Sequence, residues 1–151
     1  MRLPEQLLAR VEIEALLAEF AHRIDHGPAD GVAELFTEDG WYGRESGARS
    51  VGRAAIRAAY AGRAARGERL ARHLFTNLRL AFDSEAEAHG SCILLLFAAD
   101  GAPPAPAVPQ LVQDYEDRYR KVDGRWLFAS RMTRRLFVAD SFREVLPLGK
   151  A

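Results

Sequence analysis

His73 and Asp25 are the two side chains whose types and positions could do chemistry together. His73 lies in Arg72-His73-Leu74-Phe75-Thr76-Asn77-Leu78-Arg79-Leu80-Ala81-Phe82, which alternates apolar and polar residues through much of its length. The alternation predicts a half-buried strand with His73, Phe75, Asn77 and Arg79 on one face. A neutral imidazole turned inward carries one donor and one acceptor, and both need partners. Asp25, which closes a long amphipathic helical pattern upstream, is the best candidate. A carboxylate held against an imidazole makes a general base suited to neutral pH. The competing readings are a structural histidine and an aspartate solvated beside the helix stop.

The other reactive residue types form no comparable arrangement. His22 and His26 are four positions apart, but His-Arg-Ile-Asp-His lacks the glutamate that follows the first histidine in zinc peptidases, so no metal is expected. His89 is expected to face outward near the Asp83-Ser84 turn. Cys92 is the single cysteine, next to Ile93-Leu94-Leu95-Leu96, and reads as a small buried hydrophobe. No phosphate loop, paired-cysteine motif or Ser-His-Asp signature is present.

Lysine plus arginine equals aspartate plus glutamate at 21 each, with bases scattered among acids. That balance argues against nucleic acid or an acidic membrane as a partner. No apolar run approaches the roughly eighteen residues of a membrane span, and no basic-then-apolar start reads as a signal peptide. A cytoplasmic protein of one domain, 1–151, is expected.

The elements that must position Asp25 and His73 follow from periodicity. Pro4 and Glu5 suit a first helical turn. Leu8, Val11, Ala15, Leu16, Phe20 and Ile24 then recur at helical spacing until Gly27-Pro28 stops the helix. A second short helix is expected from Asp30 to Phe36, then a turn at Thr37-Glu38-Asp39-Gly40. Trp41-Tyr42 begins a short strand, with a return partner around Gly47 to Val51. Gly52-Arg53 opens a third helix containing Ile56 and Tyr60, frayed by Gly67. Three longer strand candidates follow His73–Phe82: Ala86–Ala98, Leu111–Val122 and Arg125–Val138. Gly101 to Pro109 forms a loop suited to a pocket rim. The tail holds Phe142, Val145 and Leu146, enough to dock. Helices followed by antiparallel strands make an α+β domain, with helices on one face of a curved sheet around a cavity.

Asp123-Gly124 is a hairpin signal that leaves two registers open. A two-residue turn places Tyr115 opposite Met132 and Glu116 opposite Arg131. A three-residue loop, Val122-Asp123-Gly124, places Tyr115 opposite Arg131. A one-residue change exchanges the faces of a strand, so the choice decides which side chains meet the cavity.

The chain resembles the NTF2-like superfamily, in its SnoaL-like and scytalone-dehydratase-like branch. The resemblance is carried by Arg23-Ile24-Asp25, Glu34-Leu35-Phe36-Thr37-Glu38-Asp39-Gly40 and Gly52-Arg53-Ala54-Ala55-Ile56. It continues through Arg72-His73 with Thr76-Asn77-Leu78-Arg79-Leu80, Tyr115-Glu116-Asp117-Arg118-Tyr119, and Asp123-Gly124-Arg125-Trp126-Leu127-Phe128 ahead of Arg131. It implies a cone-shaped barrel in which an aspartate on the first helix orients a histidine base on a strand. Asp25 and His73 fall on those two positions. Arg131 falls where the dehydrochlorinase of the group places a pocket arginine, and Tyr42 where it places an aromatic.

The resemblance favours the three-residue loop, with Gln113, Tyr115, Leu127, Arg131 and Thr133 lining the pocket. Trp126, Phe128 and Met132 would then form an outer apolar face, and a trimeric or dimeric homo-oligomer is expected from it. Phe20 stands where the dehydrochlorinase-type pocket carries a polar or cationic residue, which argues against halide expulsion. The tyrosines that assist water loss in scytalone dehydratase have no match on the first helix.

The function implied is a lyase of the dehydratase type that needs no cofactor and acts on a small cyclic, largely apolar molecule. Asp25 and His73 would be catalytic, and Tyr42, Phe75, Asn77, Tyr115 and Arg131 would bind substrate. Isomerisation and polyketide cyclisation use the same parts. A non-catalytic binding or assembly subunit, like the small subunit of ring-hydroxylating dioxygenases, is the reading from another class.

Overall fold

The computed structural model describes residues 1–64 and 69–142. Helix α1 spans Leu3–His26, and the Glu5 carboxylate accepts the Arg2 backbone N–H at 2.8 Å to cap its first turn. Gly27 ends it at φ +66°, a left-handed geometry that glycine adopts without strain. The buried stripe is Ala9, Ile13, Leu16, Leu17, Phe20 and Ile24, whereas Leu8, Val11 and Ala15 are exposed. The first half of α1 is apolar on two faces, so helical spacing alone fits both stripes and packing selects one.

The short helix expected from Asp30 to Phe36 is a 3-10 helix over Ala29–Leu35. Strand β1 (Phe36–Arg44) then runs straight through the expected Thr37–Gly40 turn, which survives only as a register shift between Phe36 and Trp41. Strand β2 (Arg49–Val51) returns antiparallel to β1, and α2 covers Arg53–Ala64. Gly67, Val145 and Leu146 lie outside the described residues.

Strands β3 (Arg69–Phe82), β4 (Glu87–Asp100), β5 (Leu111–Val122) and β6 (Arg125–Val138) complete an open six-stranded sheet. Its order is β2-β1-β6-β5-β4-β3. The β1–β6 pair is parallel and every other pair antiparallel, so the sheet is mixed. The core fills the space between this curved sheet and α1, α2 and the 3-10 helix. Among the described residues no helix is long and apolar enough to cross a membrane.

Two bulges decide which side chains face inward. In β3 the register shifts between Thr76 and Arg79, and Asn77 adopts φ +55°. Ala71, His73 and Phe75 point inward before the bulge, and Leu78, Leu80 and Phe82 after it. Asn77 and Arg79, expected beside His73, are therefore exposed. Gly90 accepts this distortion, because a Cβ there would collide with the Arg79 carbonyl.

The second bulge lies in the last hairpin. Asp123 and Gly124, at φ +48° and +77°, make a two-residue turn that pairs Val122 with Arg125. A shift between Arg118 and Tyr119 then inserts Ala129 into β6. Beyond it Tyr115 lies opposite Thr133 and Arg131 opposite Asp117, a pairing in neither expected register. The bulge restores the inward face for Arg131 and Thr133, but ahead of it Trp126 and Phe128 also turn inward. The outer apolar face expected from Trp126 and Phe128 is thus not formed.

Candidate active site

β3 is an edge strand, so alternate backbone N–H groups along it lack a strand partner. α1 lies against that edge and supplies two side chains to it. The Arg10 guanidinium donates to the Leu78 carbonyl at 3.2 Å. Asp25, in the last turn of α1, accepts the His73 backbone N–H on Oδ2 at 2.9 Å. Its Oδ1 meets His73 Nδ1 at 2.6 Å. Both side chains are largely buried, with 6% of Asp25 and 11% of His73 exposed.

A carboxylate at a helix C-terminus faces the negative end of the dipole, a cost of about 0.3–1 kcal/mol. The two bonds from His73 offset that cost. Because ionised Asp25 only accepts, Nδ1 must carry the hydrogen, and the Nε2 lone pair belongs to the other side of the ring. The contact fixes both the orientation and the tautomer of the imidazole.

His73 opens onto a cavity with about 80 Å³ of water-accessible space, enough for a few waters or part of a small ring compound. Tyr42, Tyr60, Gln113, Tyr115 and Thr133 line it together with Ile24, Leu94, Leu96 and Phe142. Gln113 Nε2 donates to the Tyr115 hydroxyl at 2.9 Å, and the Tyr115 and Tyr42 hydroxyls share a hydrogen bond of 3.0 Å. Burial, with Tyr42 adding to it, pushes the Tyr115 phenol well above its usual range, so it stays a neutral donor.

Of the residues expected to bind substrate, Tyr42 and Tyr115 line this cavity. Phe75 is half-buried beneath it, edge-on to Tyr115 at 5.2 Å. Asn77 lies outside, turned away by the β3 bulge. Leu127 is buried on the opposite side, beside Thr37 and Arg53.

Arg131 is inside the cone, but it is not a wall of the cavity. Its Nε and Nη2 donate to the two Asp117 carboxylate oxygens at 2.9 and 3.0 Å, and both side chains are 0% exposed. The Tyr119 hydroxyl adds a third bond to Asp117 at 3.0 Å. The guanidinium carbon lies 4.3–4.7 Å from the ring centres of Phe20, Phe75, Tyr115 and Phe128. Burial works against the charge, but Asp117, then Cys92, holds Arg131 above the ordinary arginine range. The partner of Arg131 is thus Asp117, and neither Asp25 nor a tyrosine hydroxyl bonds to the guanidinium among the described residues.

Phe20 explains the shape. Its ring touches Phe36, Tyr42, Tyr60, Phe75 and Phe128 edge-on at 5.6–6.3 Å, filling the deep half of the cone. Asp117 was the residue missed in the sequence. It sits two positions from Tyr115 on a period-two strand, which was the available signal for an inward carboxylate.

A wider groove of about 520 Å³ crosses the outer face of the sheet past Trp41, Arg49, Glu116 and Met132. It contains neither Asp25 nor His73, and the cavity beside His73 is the better candidate for chemistry. His22 and His26 lie with ring centres 4.8 Å apart, tilted to each other, on the exposed side of α1, and no three potential metal ligands converge among the described residues.

The sequence profile of the SnoaL-like domain matches residues 5–132. No curated protein matches the sequence. Among solved structures, the "Putative Scytalone Dehydratase" of Novosphingobium aromaticivorans is 25% identical, covers 99% of both chains and superposes with a TM-score of 0.82. A Mycobacterium tuberculosis protein of unknown function is 29% identical over 89% of this chain and 76% of its own, with a TM-score of 0.75. A type 2 hexachlorocyclohexane dehydrochlorinase shares the fold at 18% identity, covering 89% of this chain and 90% of its own, with a TM-score of 0.72.

Proposed function

The chain belongs to the SnoaL-like domain family, within the NTF2-like superfamily, and on that footing we propose that it is a carbon–oxygen lyase of the dehydratase kind. The single observation that carries this reading is the twofold grip of Asp25 on His73 at the wall of a cavity. His73 is the base. Its Nε2 lone pair removes a proton from a carbon next to the one bearing a hydroxyl, the C–H pair forms the double bond, and the C–O bond breaks. The proton then leaves with the departing hydroxide as water, and nothing is oxidised or reduced.

Asp25 holds the tautomer that presents Nε2 and balances the positive charge while the ring carries the proton. The Gln113–Tyr115–Tyr42 hydrogen-bond chain faces the same space. With Gln113 donating to Tyr115 and Tyr115 to Tyr42, the Tyr42 hydroxyl offers its own hydrogen to an oxygen of the substrate. The chemistry needs no cofactor, and a small cyclic molecule would place part of its ring in the cavity. Isomerisation differs only in where the proton returns. Arg131 acts through packing beneath the site.

The filled deep half of the cone favours a second reading, a binding subunit without turnover. The test uses cyclic β-hydroxy ketones, with the conjugated product followed by ultraviolet absorbance. Wild-type protein is expected to release water, and His73→Gln to lose about 10²–10⁴-fold of that rate while still binding ligand. Turnover that survives in His73→Gln, or binding of these compounds without any turnover, overturns the lyase reading.

A further inference from the structure

The inner face of β5 carries Gln113, Tyr115, Asp117 and Tyr119 at alternate positions, so the cavity wall and the buried ion pair belong to one row of side chains. Arg131 of β6 lies beside that row. It is in register with Asp117 on one side and with Tyr42 of β1 on the other. Asp117 takes the Nε and Nη2 hydrogens at 2.9 and 3.0 Å. Nη1 has no hydrogen-bond partner among the described residues, and the rings of Phe20, Phe75, Tyr115 and Phe128 lie around the guanidinium.

Stability gives little reason for an ion pair in so dry a place, since apolar residues of the same volume fill such a space about as well. Tyr115 gives a better one. Its ring centre is 4.3 Å from the guanidinium carbon, and its hydroxyl sits in the Gln113–Tyr115–Tyr42 chain that faces the cavity. The cation therefore acts on the ring while the oxygen serves the cavity. A cation against a π-face draws electron density toward itself, and a phenol oxygen shares that loss, which makes its O–H a stronger donor. Burial leaves the field weakly screened, and each hydrogen bond in a chain polarises the next. Arg131 accordingly pulls the Tyr115 phenol down, against burial and Tyr42, which push it up. The Asp117 carboxylate opposes the guanidinium and limits the effect.

We propose that Arg131 is a positioning residue whose charge, acting through the Tyr115 ring, strengthens the hydrogen bond that Tyr115 gives Tyr42 and so the one that Tyr42 gives a substrate oxygen. This rests on the dehydratase reading for the identity of that oxygen. To the packing role of Arg131 it adds an electrostatic one, exercised without contact with ligand.

The Tyr115 hydroxyl proton is buried and hydrogen-bonded, so its NMR resonance is the direct readout, moving downfield as the bond it donates strengthens. Two variants, verified as folded by circular dichroism, should move it in opposite directions. Arg131→Met combined with Asp117→Leu removes both charges and should shift it upfield. Asp117→Asn removes only the opposing charge and should shift it downfield, because a guanidinium stays charged. Packing alone gives no reason for opposite signs. Shifts of one sign in both variants, or no shift in the double variant, overturn the proposal; the double variant decides alone where Asp117→Asn does not fold. With a cyclic β-hydroxy ketone, the double variant should lower kcat about tenfold at nearly unchanged KM, short of the about 10²–10³-fold cost of deleting such a donor. In a Tyr115→Phe background the same two replacements should leave kcat where it was, since no hydroxyl remains to be tuned. An equal loss in both backgrounds assigns the effect to packing and overturns the proposal. Absence of turnover in wild-type protein removes the lyase reading alone, because the hydroxyl resonance is read without substrate.

Discussion

Arg131 and Asp117 face each other across β5 and β6 as a bidentate ion pair with no exposed surface on either side chain. The pair lies under the aromatic layer of Phe20, Phe75 and Tyr115 that separates it from the cavity. A buried pair of this kind adds little net stability over apolar residues of the same volume, yet breaking it strands a charge.

Arg131→Ala is therefore expected to cost about 3–5 kcal/mol of folding stability. Asp117→Ala should cost a similar amount, and Arg131→Met combined with Asp117→Leu should recover most of it. Guanidinium melts followed by circular dichroism measure all three. A loss below about 1 kcal/mol in Arg131→Ala, with ligand affinity reduced instead, would return Arg131 to the cavity wall.

Asp25→Asn should change the tautomer of His73 rather than its place. An amide oxygen can accept one of the two bonds that Asp25 accepts. The amide nitrogen must then donate, and its favourable target is the Nδ1 lone pair, which moves the ring hydrogen to Nε2. Long-range nitrogen–proton NMR of the imidazole should show Nδ1–H in wild-type protein and Nε2–H in the variant. An unchanged Nδ1–H signal would mean that Asp25 does not set the tautomer.

Cys92 faces the Arg131–Asp117 pair, with its sulfur 3.9 Å from each. Burial pushes its thiol up to about 12, with Arg131 opposing and Asp117 adding to the shift. The folded value lies above the unfolded one of about 8.5, so the folded state favours the protonated thiol. That contribution is fully present below the unfolded value and is lost as pH rises toward about 12. A disulfide reagent at pH near 8 should leave native protein unmodified and react fully in denaturant. Rapid labelling of native protein would place Cys92 at a more open site.

The fold was legible because its signals are long and periodic: the α1 stripe ending at Asp25, four long strands, and Asp123-Gly124 as a turn. The Asp25–His73 contact was legible because it joins the end of a helix to the start of a strand, positions that periodicity fixes on both sides. The bulges were not. One extra residue at Ala129 and a left-handed Asn77 reset the alternation that sequence reading relies on. Arg131 came out on the expected side because Ala129 and the two-residue turn together amount to a shift of two from the favoured register, which preserves the face while changing the partner. Trp126 and Phe128 precede that bulge and so went the other way. Arg135 lines the His73 cavity and is half-buried, but a run of charge beside Thr133 reads in sequence as a solvated edge.

Asn77 gives the last test, since its position separates two accounts of β3. An inward Asn77 would contact ligand, and replacing it would weaken binding while sparing stability. The structure has it exposed at φ +55° within a bulge that lies opposite Cys92. A left-handed backbone disfavours residues with a branched Cβ by about 1–2 kcal/mol, while glycine adopts it freely. Asn77→Gly should therefore be nearly neutral, and Asn77→Val should lower stability by about 1–2 kcal/mol in a denaturant melt. Affinity for any ring compound that fills the His73 cavity should stay the same in both. Gly90→Ala should be worse than either, because its Cβ meets backbone across the strand pair rather than a flexible side chain. If Asn77→Val leaves stability intact and abolishes binding, the strand alternates without interruption, and Asn77 belongs on the cavity wall beside His73.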